Sequence, residues 1–352
     1  MSGPIGRAVV LSLVLACALG CLRIASAEEQ ATAFSAAEWV PLALLNGQAE
    51  LVPAAVAQLQ AASPLNRRRA AFILGQIRTP AALAALRGTL KDSDRWVRIH
   101  AGVGLAQQGF AEGYPGTKAA FYEASPWLQY YAIYGLNQIG DEAARRLLAQ
   151  NACQGSPFLS RIVKAARQPA PVQSPPGPFY EHPLAAPDWP ELVEIATRAL
   201  VDEGDIWFHG GDYDQAIRCN EAAVFLQPSR VDLYAASAWL QWSMNRHGAA
   251  ISTYHRAIAA NPTDWEAYFE LGFYYLYHWH PNTAVEYLRQ SVELGAPPIR
   301  ARSYAHALEQ VGRLKEALRV WQQLDAVDQS GVVDINIRRL QQLLAATAEA
   351  GD

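Results

Sequence analysis

Two histidines flank a tryptophan in the segment YLYHWHPN, which spans Tyr275–Asn282. Neutral imidazole binds Zn²⁺ and Cu²⁺, and its pKa near neutrality also suits proton transfer, so the segment is a candidate metal or acid–base site. Side chains two residues apart on a helix point about 200° apart. His278 and His280 can therefore share a metal ion only where a turn brings them together. Pro281, directly after them, is typical of a residue that begins a new helix.

The composition and the other motifs give no support for most other chemistries. The chain is 51% hydrophobic and 18% charged, and its net charge of −4 does not indicate the basic surface that binds nucleic acid. It has no Gly-x-Ser-x-Gly, His-Glu-x-x-His or phosphate-binding motif and no conspicuous pair of carboxylates. We therefore expect a protein without enzymatic activity, cofactor or nucleic-acid partner.

Residues 1–27 have the pattern of a secretory signal peptide. Arg7 precedes an uncharged apolar run, Ala8–Leu19, which is too short to span a bilayer, and Ala-Ser-Ala closes the segment. Cys21 offers an alternative, because a cysteine just after such a run can be the lipid attachment site of a bacterial lipoprotein. Ala18 stands where that motif usually has leucine. We expect cleavage after Ala27 and export to the periplasm or the cell exterior, with membrane attachment only if Cys21 is lipidated.

Cleavage would leave two cysteines, Cys153 and Cys219. They could form a disulfide in an exported chain, but they fall in different predicted domains, and isolated buried thiols are the interpretation that we favour. No pair of cysteines has the spacing of a metal site.

A period of 31 residues runs through the first half of the chain. Four residues that favour helix N-caps recur at this spacing, and proline follows three of them at the first helical position, where its missing N–H is not needed. Apolar residues recur behind each of them on one helical face. The predicted N-caps are Ser63, Asp94, Ser125 and Ser156. Each unit therefore begins with an amphipathic helix, and a second helix follows it.

The segment Arg67–Gly102 resembles short HEAT repeats, the type also found in phycobilin lyases. The resemblance is one of architecture, and a lyase activity does not follow from it. It implies helix pairs that bury their apolar faces only by stacking, in a HEAT-like domain of residues 32–167. The arginines of this segment could form a basic strip for an acidic partner. We favour the alternative, in which they pair with Asp92 and Asp94.

Residues 168–190 contain eight prolines and are predicted to form an extended linker between two domains. Phe179, Tyr180 and Trp189 favour a linker that packs against a neighbouring surface, because a free spacer has little use for large apolar side chains.

The second half repeats every 34 residues, as in Ala216, Ala250 and Ala284. Segments such as Trp265–Leu294 resemble tetratricopeptide repeats, for which this period is typical. The resemblance implies four helix pairs and a closing helix, in a tetratricopeptide domain of residues 191–347. The whole chain is therefore predicted to be all-α, with two α-solenoid arrays joined by the linker.

In this register His278 and His280 lie at the turn between the two helices of a repeat. His209 and His247 lie at equivalent turns, and stacked repeats align their turns along one edge. Four histidines on one edge could bind Zn²⁺ or Cu²⁺ or respond to acid. We favour the alternative, in which they are solvated turn residues packed on Trp279.

The tetratricopeptide resemblance also implies a binding groove, because the family's ligand-contacting positions lie on the inner face formed by the first helices. The corresponding residues here are Phe208, Trp239, Trp242, Phe269, Phe273 and Tyr277, with Arg198 and Arg302 toward the two ends. Aromatic and arginine side chains often dominate interface energies, so an apolar or proline-containing peptide is the predicted ligand. The alternative is that some of the rings belong to the core.

These patterns predict a non-enzymatic scaffold or adaptor that binds other envelope or secreted proteins. The alternative is a metal-binding or enzymatic accessory protein that uses the histidine-rich edge. A third hypothesis is that the tetratricopeptide array serves self-association, and the oligomeric state does not follow from the sequence.

Overall fold

A computed structural model describes residues 45–150, 156–167, 186–327 and 331–349. Within these ranges the chain forms seventeen α-helices and no β-strand, which confirms the predicted all-α solenoid. The predicted signal peptide, including Cys21, lies outside the described residues, and so do Cys153 and residues 168–185 of the predicted linker. No helix in the described ranges is long and apolar enough to cross a bilayer.

The described residues form two compact units that divide between Leu226 and Gln227. The first unit contains ten helices in its described part. They are α1 (Val52–Gln58), α2 (Pro64–Ile77), α3 (Pro80–Thr89), α4 (Arg95–Ala106), α5 (Tyr114–Glu123), α6 (Pro126–Ile139), α7 (Glu142–Gln150), α8 (Pro157–Ala166), α9 (Trp189–His209) and α10 (Tyr213–Leu226).

The predicted N-caps begin helices in the first unit, and three of the four also make the capping hydrogen bond. The side chains of Ser63, Asp94 and Ser156 accept from backbone N–H groups three residues later, which satisfies donors that a helix start leaves open. Ser125 precedes α6 without such a side-chain bond, and its carbonyl instead accepts from the Leu128 N–H at 3.0 Å.

Close helix packing in the first unit depends on glycine at one crossing. A Cβ atom built on Gly75 of α2 would lie 2.9 Å from the Cα of Gly104 on α4, a distance that real side chains do not tolerate. The two helices can therefore approach this closely only because neither residue has a side chain.

The arginines at the helix starts pair with aspartates of the next unit. The Arg67 Nε atom lies 2.8 Å from Asp92 Oδ2, and the Arg68 Nη2 atom lies 2.7 Å from Asp94 Oδ2. These pairs bridge neighbouring repeats and confirm the predicted pairing for Arg67 and Arg68, whereas Arg95 pairs with Glu123 and Arg69 donates to the Phe225 carbonyl.

The first tetratricopeptide-like helix pair, α9 and α10, belongs to the first unit. α9 packs against α1, and α10 packs against α6. α9 begins at Trp189, inside the predicted linker, with the Asp188 side chain as its N-cap. A domain boundary at residues 168–190 stays a prediction, but the compact units divide later because this helix pair packs on the HEAT-like helices.

A buried ionic network joins the two kinds of repeat within the first unit. Arg218 of α10 is 2% exposed; it pairs with Glu203 of α9 and donates to the Tyr131 hydroxyl of α6 at 2.6 Å. Gln215 donates to the Tyr130 hydroxyl of α6 at 3.3 Å. Buried charges are retained only where they are paired and hydrogen-bonded, as this one is.

The second unit contains the remaining described helices. They are α11 (Val231–Ser243), α12 (His247–Ala260), α13 (Trp265–Tyr277), α14 (Pro281–Glu293), α15 (Pro298–Gln310), α16 (Leu314–Asp325) and α17 (Val332–Glu349). α11 to α16 form three antiparallel pairs, and α17 packs on α16 as the predicted closing helix. Ala250 and Ala284, which mark the 34-residue period, are fully buried, and so is Ala317 in the next repeat.

Candidate functional site

Four exposed or half-exposed rings on adjoining helices form the candidate site. They are Trp239 and Trp242 on α11 and Phe273 and Tyr277 on α13, and we call this set the aromatic face. Trp239, Phe273 and Tyr277 keep 42%, 39% and 47% of their surface exposed, although large apolar side chains usually lie inside.

The repeat register positions these rings next to one another. α11 and α13 are the first helices of successive pairs and pack together, and Trp239 and Phe273 occupy equivalent positions 34 residues apart. The ring centroids of Trp239 and Trp242 lie 6.3 Å apart, and those of Trp242 and Tyr277 lie 5.4 Å apart. The aromatic face therefore continues from one repeat to the next.

Phe269 does not lie on this surface, contrary to its prediction as a groove residue. It is 2% exposed and belongs to the core between α13 and α15, where the Arg300 guanidinium stacks on its ring at 4.4 Å. Its ring is stacked against that of Phe273 at 5.8 Å, so Phe269 supports the aromatic face from below.

The other predicted contact residues lie elsewhere or at the edge. Arg198 and Phe208 are in the first unit. Arg198 is exposed, and its Nη2 atom lies 4.0 Å from Glu194 Oε1, whereas Phe208 packs against Tyr213. Arg302 is half-buried on α15 of the second unit.

The segment with two histidines forms a turn, as predicted. α13 ends at Tyr277 and α14 begins at Pro281, and Trp279 adopts a left-handed backbone with a φ of 62°. The equivalent position of the preceding repeat is Asn245, also at 62°, and asparagine tolerates this conformation better than a bulky residue does. Trp279 is 80% exposed, so its ring does not pack over the turn.

The structure brings two of the four histidines together. The rings of His247 and His278 lie 4.9 Å apart, and both ring nitrogens of His247 are engaged, with the Tyr274 hydroxyl at 2.9 Å and with Asn245 Oδ1 at 3.0 Å. Burial lowers the pKa of His278, and the nearby imidazoles His247 and His280 lower it further.

The remaining histidines do not complete a metal site. His280 is exposed behind Tyr275, and His209 belongs to the first unit, beside the Asp205 carbonyl. In the part of the chain that the structure describes, no three histidine, cysteine, aspartate or glutamate side chains lie close enough together to hold a metal ion.

Two glutamates lie on the same side of α13 as the aromatic face. Glu266 and Glu270 precede Phe273 and Tyr277 at spacings that place all four on one helical face. Burial raises the pKa of Glu266, as do the carboxylates of Asp264 and Asp232, and burial also raises the pKa of Glu270. Glu270 was not among the predicted contact residues, although its spacing of three and seven residues from Phe273 and Tyr277 was a usable signal.

Cys219 lies in the first unit and is unsuited to nucleophilic chemistry. It is a free, fully buried thiol, and burial raises its pKa well above the usual value, whereas a reactive thiol needs a lowered pKa and access.

Comparison with known proteins identifies both kinds of repeat. A family model of HEAT repeats matches residues 52–121, and a model of the tetratricopeptide repeat matches residues 231–264. No curated protein matched the chain.

Solved structures with a similar arrangement of helices include a crystal structure of the MamA protein, at 18% identity over 45% of this chain and 87% of that chain, with a TM-score of 0.37. Another is YrrB, described as a TPR protein with an unusual peptide-binding site, at 17% identity over 46% of this chain and 86% of that chain, with a TM-score of 0.35. A third is MamA from Desulfovibrio magneticus RS-1, at 17% identity over 41% of this chain and 82% of that chain, with a TM-score of 0.32. The two family matches show that the chain contains HEAT repeats within residues 52–121 and a tetratricopeptide repeat within residues 231–264.

Proposed function

We propose that the protein is a non-enzymatic scaffold that binds a segment of a partner protein on the aromatic face. The observation that carries the proposal is the exposure of Trp239, Phe273 and Tyr277 beside Trp242 on adjoining helices. Clustered exposed apolar side chains mark interaction sites, and tryptophan and tyrosine are the residues that most often dominate interface energies.

We also propose that the scaffold is exported and that its partners are envelope or secreted proteins. This part of the proposal rests on the signal-peptide pattern of residues 1–27. N-terminal sequencing of protein isolated from its native host tests it: export with cleavage predicts a chain that begins at Glu28. An intact Met1 in a cytosolic fraction would contradict export, and a lipid adduct on Cys21 would establish membrane attachment.

The binding proposal is tested by partner capture with the mature chain and two variants. Trp239→Ala/Phe273→Ala removes two rings of the aromatic face. If these rings are binding hot spots, each truncation should lower the affinity for the partner by about 30-fold or more. Tyr122→Ala is the matched control, because Tyr122 is a comparably exposed ring, 53% accessible, on α5 of the first unit.

We expect a partner that the mature chain and the Tyr122→Ala control retain and that the double variant loses. A photo-crosslinking amino acid at position 277 should attach to the same partner, and one at position 122 should not. Retention by all three chains, with circular dichroism showing intact helices, would contradict binding at the aromatic face.

A further inference from the structure

Two glutamates beside the aromatic face, Glu266 and Glu270, carry negative charge that the chain itself compensates only in part. No hydrogen bond or ion pair joins the Glu266 or the Glu270 carboxylate to another side chain within the described residues. Arg300 lies within electrostatic reach of both glutamates and opposes the rise in their pKa, but its guanidinium stacks on the Phe269 ring and forms no ion pair with either of them within the described residues. Asp232 adds a third carboxylate to the field at Glu266, but Arg230 already pairs with it at 2.7 Å.

Both glutamates are half-buried, and groups on other helices lie near their carboxylates. Glu270 lies within electrostatic reach of Tyr254 on α12 and of Arg300 on α15, and Glu266 lies within reach of Asp232 on α11. Partial burial removes water that would otherwise stabilise the ionised carboxylates, and this cost is recovered when a cation approaches. Two partly buried carboxylates cost free energy on an unoccupied surface, and a bound cationic ligand would offset this cost.

The order of residues along α13 places the charge at one end of the aromatic face. Glu266, Glu270, Phe273 and Tyr277 follow one another along one helical face, and Trp239 occupies the position of the preceding repeat that is equivalent to Phe273. A ligand that crosses this surface therefore meets two carboxylates and then two or more rings.

Resting on the proposed function, we propose that the aromatic face receives an extended segment of another protein that carries an arginine or lysine flanked by apolar side chains, with the cation beside Glu266 and Glu270. Arginine fits best, because its planar guanidinium both binds carboxylates in pairs and stacks on aromatic rings. The apolar neighbours of that arginine would pack on Trp239 and Phe273. Charge complementarity selects this partner over an acidic segment, which Glu266 and Glu270 would repel.

The test uses the mature chain, which lacks residues 1–27, and three synthetic peptides. The peptides share the capped sequence Gly-Leu-Pro-Xaa-Leu-Pro-Gly, in which Xaa is arginine, its neutral isostere citrulline, or glutamate. Isothermal titration calorimetry measures each affinity at low and at physiological salt. Because charged hydrogen bonds and ion pairs are the strong ones, we expect the arginine peptide to bind at least about tenfold more tightly than the citrulline peptide, and the glutamate peptide to bind most weakly.

Two variants locate the effect. Glu266→Gln/Glu270→Gln keeps the shape of both side chains and should reduce the preference for arginine over citrulline to about threefold or less. Asp325→Asn removes an exposed carboxylate at the end of α16 and should leave the preference unchanged. Trp239→Ala/Phe273→Ala should weaken the binding of all three peptides.

The outcomes separate this inference from the proposed function. Equal affinity for the arginine and citrulline peptides, or no binding of any peptide, overturns the proposal of a cationic segment. If partner capture still depends on Trp239 and Phe273 in that case, the scaffold proposal stands. If partner capture and peptide binding are both unchanged in the Trp239→Ala/Phe273→Ala variant, both proposals are overturned. A dimer in sedimentation experiments that dissociates in the Trp239→Ala/Phe273→Ala variant would make a second copy of the chain the occupant and would also overturn the inference.

Discussion

Acidification from pH 7 to pH 5 should destabilise the first compact unit by about 2 kcal/mol through His100 alone. His100 lies on α4, is 4% exposed, and its Nδ1 atom is buried without a hydrogen-bond partner. Its ring is stacked on Phe225 of α10 at 5.0 Å and packs near Phe72 and Trp127. Burial, with a smaller contribution from the nearby Arg68 guanidinium, lowers the pKa of His100 to about 3.

The sign and the size follow from proton linkage. The unfolded chain binds a proton at His100 below about pH 6.5, whereas the folded chain resists it down to about pH 3, so acid favours the unfolded state throughout this window. Each pH unit inside the window costs about 1.4 kcal/mol, and the part of the window between pH 6.5 and pH 5 therefore costs about 2 kcal/mol.

The assay is urea denaturation at pH 7 and pH 5, with hydrogen exchange of α4 peptides to report on the first unit specifically. The matched variant is His100→Phe, which keeps an aromatic ring but cannot bind a proton. All other titrating groups are common to both chains, so the difference between their pH dependences isolates His100. If the wild-type chain and His100→Phe lose the same stability on acidification, the reasoning is refuted.

Three further predictions concern other described residues. Glu203→Gln should cost about 3–5 kcal/mol in urea denaturation, because it leaves the Arg218 charge buried without its counter-ion, and a loss below about 1 kcal/mol would contradict the buried pair. Trp279→Gly should raise the thermal stability of the second unit by up to about 1 kcal/mol, because glycine adopts the left-handed backbone without strain; calorimetry that shows a loss would contradict this. Glu270→Gln should stabilise the protein at pH 7 but not at pH 4. The pKa of the Glu270 carboxyl is raised in the folded state, so its ionised form opposes folding at pH 7, whereas its protonated form at pH 4 does not. Equal effects of the substitution at both pH values in denaturation curves would count against this.

Local features were predictable from the sequence because their causes are local. The helix starts at Ser63, Asp94 and Ser156 depend on capping groups within three residues, and the turn before Pro281 depends on the 34-residue register. The rings of the aromatic face were predictable for the same reason, since period and register place Trp239 on the first helix of a repeat.

Features that depend on contacts between distant segments were not predictable in this way. Phe269 shares a helix with Phe273, and only the packing of α15, through Arg300, decides that Phe269 is covered. Arg218 reads as an ordinary polar residue of a helix, because its hydroxyl partner Tyr131 lies 87 residues away in the sequence. Periodicity identifies the face of a helix, but it does not identify the element that packs against that face.

The packing of the first tetratricopeptide-like pair on the HEAT-like helices bears on how the chain can be dissected. α9 and α10 pack across the first helices of successive HEAT-like units: Arg69 of α2 donates to the Phe225 carbonyl, His100 of α4 stacks on the Phe225 ring, and Arg218 donates to the Tyr131 hydroxyl of α6. A recombinant fragment cut at the proline-rich segment would separate this helix pair from the HEAT-like helices. It would expose Phe72, Trp127 and Phe225 on the separated pieces and leave the charge of Arg218 without its tyrosine partner. Fragments intended for crystallisation or binding assays should instead end at Leu226 or begin at Gln227, where the sequence alone would not suggest a cut.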